Sequence, residues 1–144
     1  MTIYIGADHG GFELKLQLSQ YLVKAGYAVV DCGNKVYEPE DDYPDFSKGV
    51  ASAVGANKDS RGILICRNGV GVCISANRFA GIYCALGFNN EQIRKARQHD
   101  FINVLALPSD YKTLDECIEL VKIFIETEPL SDPKYLRRLQ KIEL

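Results

Sequence analysis

The residues that most constrain this chain are 61–78, RGILICRNGVGVCISANR. Four residues of strand character, Gly62-Ile63-Leu64-Ile65, run into Cys66. A polar, glycine-bearing turn follows, Arg67-Asn68-Gly69-Val70-Gly71, and residues 72–78 then fit a helix. A short apolar run, a flexible turn and a helix start make a strand–turn–helix unit. Glycines let backbone N–H groups approach a ligand closely, and a helix N-terminus adds partial positive charge, so such a turn suits an anion. The Cys66 thiol at its edge is in place to act on whatever the turn holds. A buried structural cysteine ahead of an ordinary connection accounts for the same residues, and this stretch alone leaves both readings open.

The rest of the chain repeats the alternation. Residues 3–7 read as a short buried strand closed by Asp8-His9-Gly10-Gly11. Leu14, Leu16, Leu18, Tyr21, Leu22 and Val23 fit a helix that Gly26 ends. A second strand spans 27–31, followed by a polar, acidic loop over 32–42. Residues 46–56 fit a helix with Asp45 as its N-cap. Strands over 63–66, 81–86 and 102–107 are separated by helices after the glycine turn and from Asn89 or Asn90 to His99. Apolar residues at helical spacing fill 113–127, and a last helix over 134–144 follows the break between Pro129 and Pro133. Five strands alternating with helices predict a three-layer α/β/α sandwich, a Rossmann-like parallel sheet in one domain over residues 1–144. Ligands of such sheets bind beyond the carboxyl ends of the strands, where strand order reverses. A strand order of 2-1-3-4-5 is the expectation, and it brings Asp8, His9 and Cys66 to one crevice.

Composition narrows the function classes. The 144 residues carry a net charge of −2, so no face-wide basic excess is available for nucleic acid. No apolar run is long enough to span a bilayer, and the first residues, MTIYIGAD, read as a strand rather than a signal peptide. The five cysteines form no CxxC and no zinc spacing, and four of them read as small core residues. An odd number of cysteines points to a reducing compartment, and the expected location is the cytoplasm.

Several motifs can be tested and set aside. A thiol before a phosphate-holding loop suggests the Cys-x5-Arg phosphatases, but position 72 is Val72, so the bidentate phosphate donor is missing. No Gly-Lys-Ser/Thr run and no GxGxxG after the first strand occurs. Two histidines and scattered carboxylates form no metal constellation, and no metal is expected. Acid–base or thiol chemistry on a small anionic ligand is left.

Asp8-His9-Gly10, Asp42-Tyr43-Pro44-Asp45, Cys66-x-x-Gly69-Val70-Gly71, Ala76-Asn77-Arg78, and His99 with Asn103-Val104-Leu105-Ala106 occur in this order. Together they resemble the ribose-5-phosphate isomerase B family, which also includes the galactose-6-phosphate isomerase subunits. The resemblance covers residues 3 to 142. It implies a cofactor-free aldose–ketose isomerase of the pentose phosphate pathway, interconverting ribose 5-phosphate and ribulose 5-phosphate. It also implies a homodimer or a tetramer, with active sites shared between subunits and a C-terminal helix near 133–142 at the dimer interface. By family correspondence Cys66 is the base between C1 and C2, and Asn68 with the amides of Gly69, Val70 and Gly71 stabilises the enediolate. His99 helps open the furanose ring, Asp8 and His9 contact the sugar and its phosphate, and Tyr43 lies at the rim. The bare residues agree: a proton next to a carbonyl needs a base, a thiolate is one, and a developing oxyanion needs preorganised donors.

The departures from the family pattern lie in the site itself. The turn usually reads Cys-Gly-Thr/Ser-Gly, and here Arg67 and Asn68 take the second and third places. Asp100 stands where asparagine usually follows the histidine, and Asp110 where an arginine usually follows the fifth strand. The C-terminal Gly-Gly-Arg-His reads Ser131-Asp132-Pro133-Lys134-Tyr135, in which Lys134 still offers a point charge, and Arg138 matches the last phosphate arginine. A charge change some 6 Å from the phosphate is worth roughly 2–3 kcal/mol at an effective dielectric near 20. Galactose 6-phosphate, allose 6-phosphate and tetrose phosphates are therefore alternative substrates. A non-catalytic sugar-phosphate-binding paralogue and a thiol-modified α/β module are readings from other classes.

Overall fold

The fold, a computed structural model describing residues 1–143, is a parallel sheet between two helical layers. The chain runs β1 (Thr2–Ala7), a 3₁₀ turn (His9–Gly11), α1 (Phe12–Lys24), β2 (Ala28–Asp31), α2 (Tyr43–Ala56), β3 (Ser60–Cys66) and α3 (Val70–Ala76). It continues through β4 (Cys84–Leu86), α4 (Asn90–Asp100), β5 (Val104–Pro108), α5 (Leu114–Glu126) and α6 (Pro133–Gln140). The expected last helix over 134–144 ends at Gln140, and residue 144 lies outside the described residues. Among the described residues no helix is long and apolar enough to cross a membrane.

The two-residue period of a strand sorts its side chains between the layers. On β3, Ile63 and Ile65 join Leu14, Leu18, Ile93, Leu120 and Phe124 under α1, α4 and α5. Leu64 and Cys66 face the other way, onto Val50, Val54, Val72 and Ala76 of α2 and α3. The thiol therefore belongs to the α2–α3 side of the sheet. Gly62 is required there, because a Cβ would sit 2.7 Å from Val50 Cγ1.

The sheet order is 2-1-3-5-4, all parallel, and not the expected 2-1-3-4-5. β5 is buried at all five positions and takes the inside place, whereas β4 has three half-buried residues and takes the edge. A strand buried on both faces belongs in the interior of a parallel sheet. β4 is also shorter than the expected 81–86. The Asn103 side chain accepts the Tyr83 N–H and donates to Gly81 O, and Asn77 accepts the Cys84 N–H, replacing ladder bonds at the strand's start. With α2 and α3 on one face and α1 and α4 on the other, each crossover is right-handed in this order. The swap of β4 and β5 leaves the reversal point between β1 and β3, so the expected crevice survives.

Two helix starts also differ from expectation. α2 begins at Tyr43, with Asp42 in the N-cap position and Asp45 inside the first turn, because Pro44 presets the helical φ at its start. α3 begins at Val70 rather than at residue 72, directly after Gly69 in the left-handed region (φ +73°). α5 carries a full capping box between Thr113 and Glu116 that the apolar spacing did not disclose.

Candidate active site

β1 leads into Asp8 at the crevice, whose Oδ1 accepts the N–H groups of Gly10 at 2.9 Å and Gly11 at 3.2 Å. This closes the 3₁₀ turn and presents His9. Asp8 is 7% exposed, and burial pushes its carboxyl above the usual range. Gly11 lies so close to β3 that a Cβ would meet Ile65 O at 2.7 Å. A Cβ on Gly10 would meet Arg67 Cγ at 2.5 Å, so the Arg67 stem crosses the first turn.

β3 ends at the same crevice in Cys66, which is 5% exposed. Its Sγ accepts the Gly69 N–H at 3.2 Å. The chain can double back this tightly only because Gly69 adopts a positive φ, with no room for a side chain between Leu86 and the backbone of Leu107. Asn68 Oδ1 accepts the Val70 N–H at 3.0 Å and lies 3.9 Å from the sulfur. Its carbonyl is thus engaged with the helix start, and its NH2 is the group it can offer a ligand. Tyr43 lies flat on Gly71, where a Cβ would fall 2.9 Å from Cζ, and the ring is 41% exposed at the rim.

The segment after β5 closes the crevice on its third side. Ser109 Oγ donates to Gly10 O at 2.7 Å, and Ser109 N–H donates to Cys66 O. Asp110 faces Arg67, with Oδ1 3.6 Å from Nη1 and both side chains well exposed. The aspartate that stands where the family places an arginine is therefore matched by the arginine that stands where the family places a glycine.

His9 is held from the acidic loop. Asp41 Oδ1 accepts both its backbone N–H at 2.9 Å and its ring Nδ1–H at 2.8 Å. The Asp41 hydrogen bond, helped by Asp8 and opposed by ring desolvation and Arg67, raises the imidazole above its ordinary value. Asp41 Oδ2 accepts from Asn34 Nδ2 at 2.8 Å, and Asn34 O in turn accepts from Lys15 Nζ. Lys15 has no exposed surface and is locked to both carboxylate oxygens of Asp31 at 3.0 and 2.9 Å. Asp41, Asn34 and Ser109 are absent from the sequence reading. The only signal for Asp41 was its place in an acidic loop, which is what a solvated loop also looks like.

The remaining expected residues do not join this group within one chain. α4 starts beside the carboxyl end of β4, where Gln92 Nε2 donates to Leu86 O, and runs back to end just before Val104. His99 and Asp100 therefore lie at the amino edge of the sheet. His99 stacks on Tyr135 of α6, with ring centroids 4.5 Å apart and planes 9° apart. Arg138 and Lys134 flank the same tyrosine, and Lys134 is paired with Asp132 at 3.0 Å. α6 buries none of its own residues, and Leu136 is half exposed. A thiol, bare amides and His9 thus form one cluster, and His99 with two cations forms another at the opposite edge.

The family described as Ribose/Galactose Isomerase matches residues 3–142. Ribose-5-phosphate isomerase B of Mycolicibacterium paratuberculosis is 35% identical over 139 residues, covering 96% of this chain and 87% of its own. The crystal structure of ribose-5-phosphate isomerase B from Mycoplasma genitalium with bound ribulose 5-phosphate superimposes with a TM-score of 0.92 at 41% identity, covering 98% of this chain and 93% of that one. Ribose-5-phosphate isomerase B of Clostridium thermocellum gives 0.93 at 39% identity over 99% and 95% of the two chains. The chain belongs to the ribose/galactose isomerase family.

Proposed function

We propose that this chain is a type B ribose-5-phosphate isomerase, interconverting ribose 5-phosphate and ribulose 5-phosphate with Cys66 as the base. The observation that carries the assignment is the Cys66 sulfur at the switch-point crevice, 3.2 Å from the Gly69 N–H and on the edge that presents His9. An N–H directed at the sulfur is the partner a thiolate needs, and the thiolate is the basic form.

The thiolate removes the proton from C2 of the open-chain aldose, and the electron pair moves to make the C1–C2 enediolate, with negative charge on O1. The Asn68 NH2 and the amides of the glycine turn receive that charge. The Val70 N–H is already held by Asn68 Oδ1, so Gly71 is the turn amide best placed for the oxyanion. The proton then returns from sulfur to C1 while the O2–H proton passes to O1, giving the ketose and regenerating the thiolate. Base and oxyanion donors all come from the protein, and the reaction is internally balanced without a cofactor.

His99 acts on the ring oxygen to open the furanose, and it comes from a second copy of the chain. Two features support this: His99 and Cys66 lie at opposite sheet edges, and α6 is largely uncovered. The same copy brings Asp100, Lys134 and Arg138, and α6 packs at the dimer interface. His9 and Arg67 bind the phosphate from the first chain, with Asp8 on the sugar and Tyr43 covering the mouth. All five cysteines are free thiols, which suits a dimer working in the reducing cytoplasm.

Incubation with ribose 5-phosphate in deuterated water tests the assignment. Deuterium should enter C2 of the aldose and C1 of the ketose, and Cys66→Ala should abolish the exchange. Exchange that survives Cys66→Ala removes the thiol as base. Absence of exchange in a protein that binds the sugar removes the isomerase reading.

A further inference from the structure

We propose that Asp41 is a positioning residue for His9: by holding the Nδ1–H it leaves a bare Nε2, so that recognition of the substrate's phosphate at this histidine requires uptake of a proton. The proposal rests on the functional reading above, in which His9 receives the phosphate.

Its basis is the double contact of one carboxylate oxygen. Asp41 Oδ1 takes the backbone N–H of His9 and the ring nitrogen of the same residue, which fixes both the turn and the imidazole rotamer. An ionised carboxylate accepts only, so the proton on the contacting nitrogen is the histidine's. In the neutral ring that leaves Nε2 with a lone pair, which repels a phosphate oxygen. Only the imidazolium offers an N–H there. Asp41 is 8% exposed at its side chain, and its second oxygen is anchored by Asn34, so the carboxylate cannot easily turn away. Asn34 is tied through its carbonyl to Lys15, and Lys15 to Asp31. The geometry thus reaches from the buried lysine on α1 to a ring that is 27% exposed at the crevice.

The charged neighbours of the ring are Asp41, Asp8 and Arg67, two favouring the imidazolium and one opposing it. Their sum lies on the protonated side, so the cation is present at and somewhat above the ordinary histidine range. The sign for substrate binding follows. Below the raised value His9 is charged and the phosphate is held. As pH rises through that value the N–H at Nε2 is lost and KM climbs, while kcat, which depends on Cys66, does not follow it.

The chain has only two histidines, so ring nitrogens can be followed by NMR in 15N-histidine-labelled protein, with His9→Gln for assignment. In the wild type, His9 should titrate above the ordinary value with the Nδ1–H tautomer when neutral, and saturating ribose 5-phosphate should raise its midpoint further. Asp41→Asn keeps the size and the acceptor oxygen but removes the charge. It should lower the midpoint and move the rise in KM down with it. Asp41→Ala should also lose the tautomer preference. A merely structural Asp41 predicts that Asp41→Asn leaves the midpoint and the KM profile as in the wild type, and that result overturns the proposal. So does a neutral His9 protonated on Nε2 in the wild type. A protein that turns over ribose 5-phosphate with His9 unmoved by the sugar overturns this proposal alone. One that neither binds nor turns it over overturns the functional reading as well.

Discussion

Mixing two inactive variants reads the placement of Cys66 and His99 directly. Gly62 is paired with Val104 and Cys66 with Pro108, so four residue steps of β3 separate the edge where α4 ends from the edge where the thiol lies. At roughly 3.3 Å per step that is about 13 Å of sheet. Hydrogen-bond transfer requires about 3 Å. One chain therefore cannot bring its own imidazole to its own sulfur. In the proposed dimer each site would take Cys66 from one subunit and His99 from the other. A mixed dimer of Cys66→Ala and His99→Ala chains then holds one intact site and one carrying both lesions. Unfolding equal amounts together and refolding them makes half the dimers mixed, and each mixed dimer has half its sites whole. Activity should return to about a quarter of wild type, above a baseline set by the two variants refolded separately. Formation of ribulose 5-phosphate from ribose 5-phosphate is the assay, with sedimentation confirming a dimer. Mixtures that stay at the baseline while sedimenting as dimers would refute the shared site and the role given to His99.

Two further outcomes follow from contacts at the crevice and beneath it. Asp110→Asn should release Arg67 for the phosphate and lower KM about fivefold, and Arg67→Gly should raise it by a similar factor, with kcat steady in both, since an exposed pair is worth about 1 kcal/mol. Steady-state kinetics with ribose 5-phosphate measures both, and unchanged KM values would remove Arg67 from the phosphate site. Lys15→Met should destabilise the fold by about 3 kcal/mol in urea unfolding, because it leaves Asp31 without the ammonium that grips both its oxygens; a loss under 1 kcal/mol would show that the pair contributes little.

What the sequence disclosed is the part governed by local rules. The run into Cys66, the glycine turn and the helix after it are set by two- and four-residue periodicity and by a positive φ at Gly69, so they could be read directly. The neighbouring positions of β1 and β3 followed from the general habit of parallel sheets. The exchange of β4 and β5 did not, because the start of β4 is unpicked by two asparagine side chains, Asn77 and Asn103, whose partners lie 7 to 22 residues away. Nor did Asp41, whose contact with His9 spans 32 residues and is visible only once the acidic loop folds back. Arg67 and Asp110 read separately as two departures from a family pattern. In space they are one ion pair on the same side of the crevice, so the charge there differs from the family pattern by one unit, half of what the Asp110 substitution alone suggests.

The division of the site between two edges was, by contrast, implicit in the connectivity. In a parallel sheet every helix runs against its strands, so a residue at the end of a strand and a residue at the end of a helix lie on opposite edges. Cys66 is the last residue of β3, and His99 is the penultimate residue of α4. If the proposed chemistry uses both, a base at C2 and an acid at the ring oxygen, the second group has to come from another chain. Exposure of α6 beside His99 is the corollary: an amphipathic helix that buries nothing at home carries Lys134 and Arg138 to wherever His99 goes. On this reading the dimer is part of the catalytic apparatus, and weakening α6, for instance at the exposed Leu136, should cost activity in proportion to the loss of dimer.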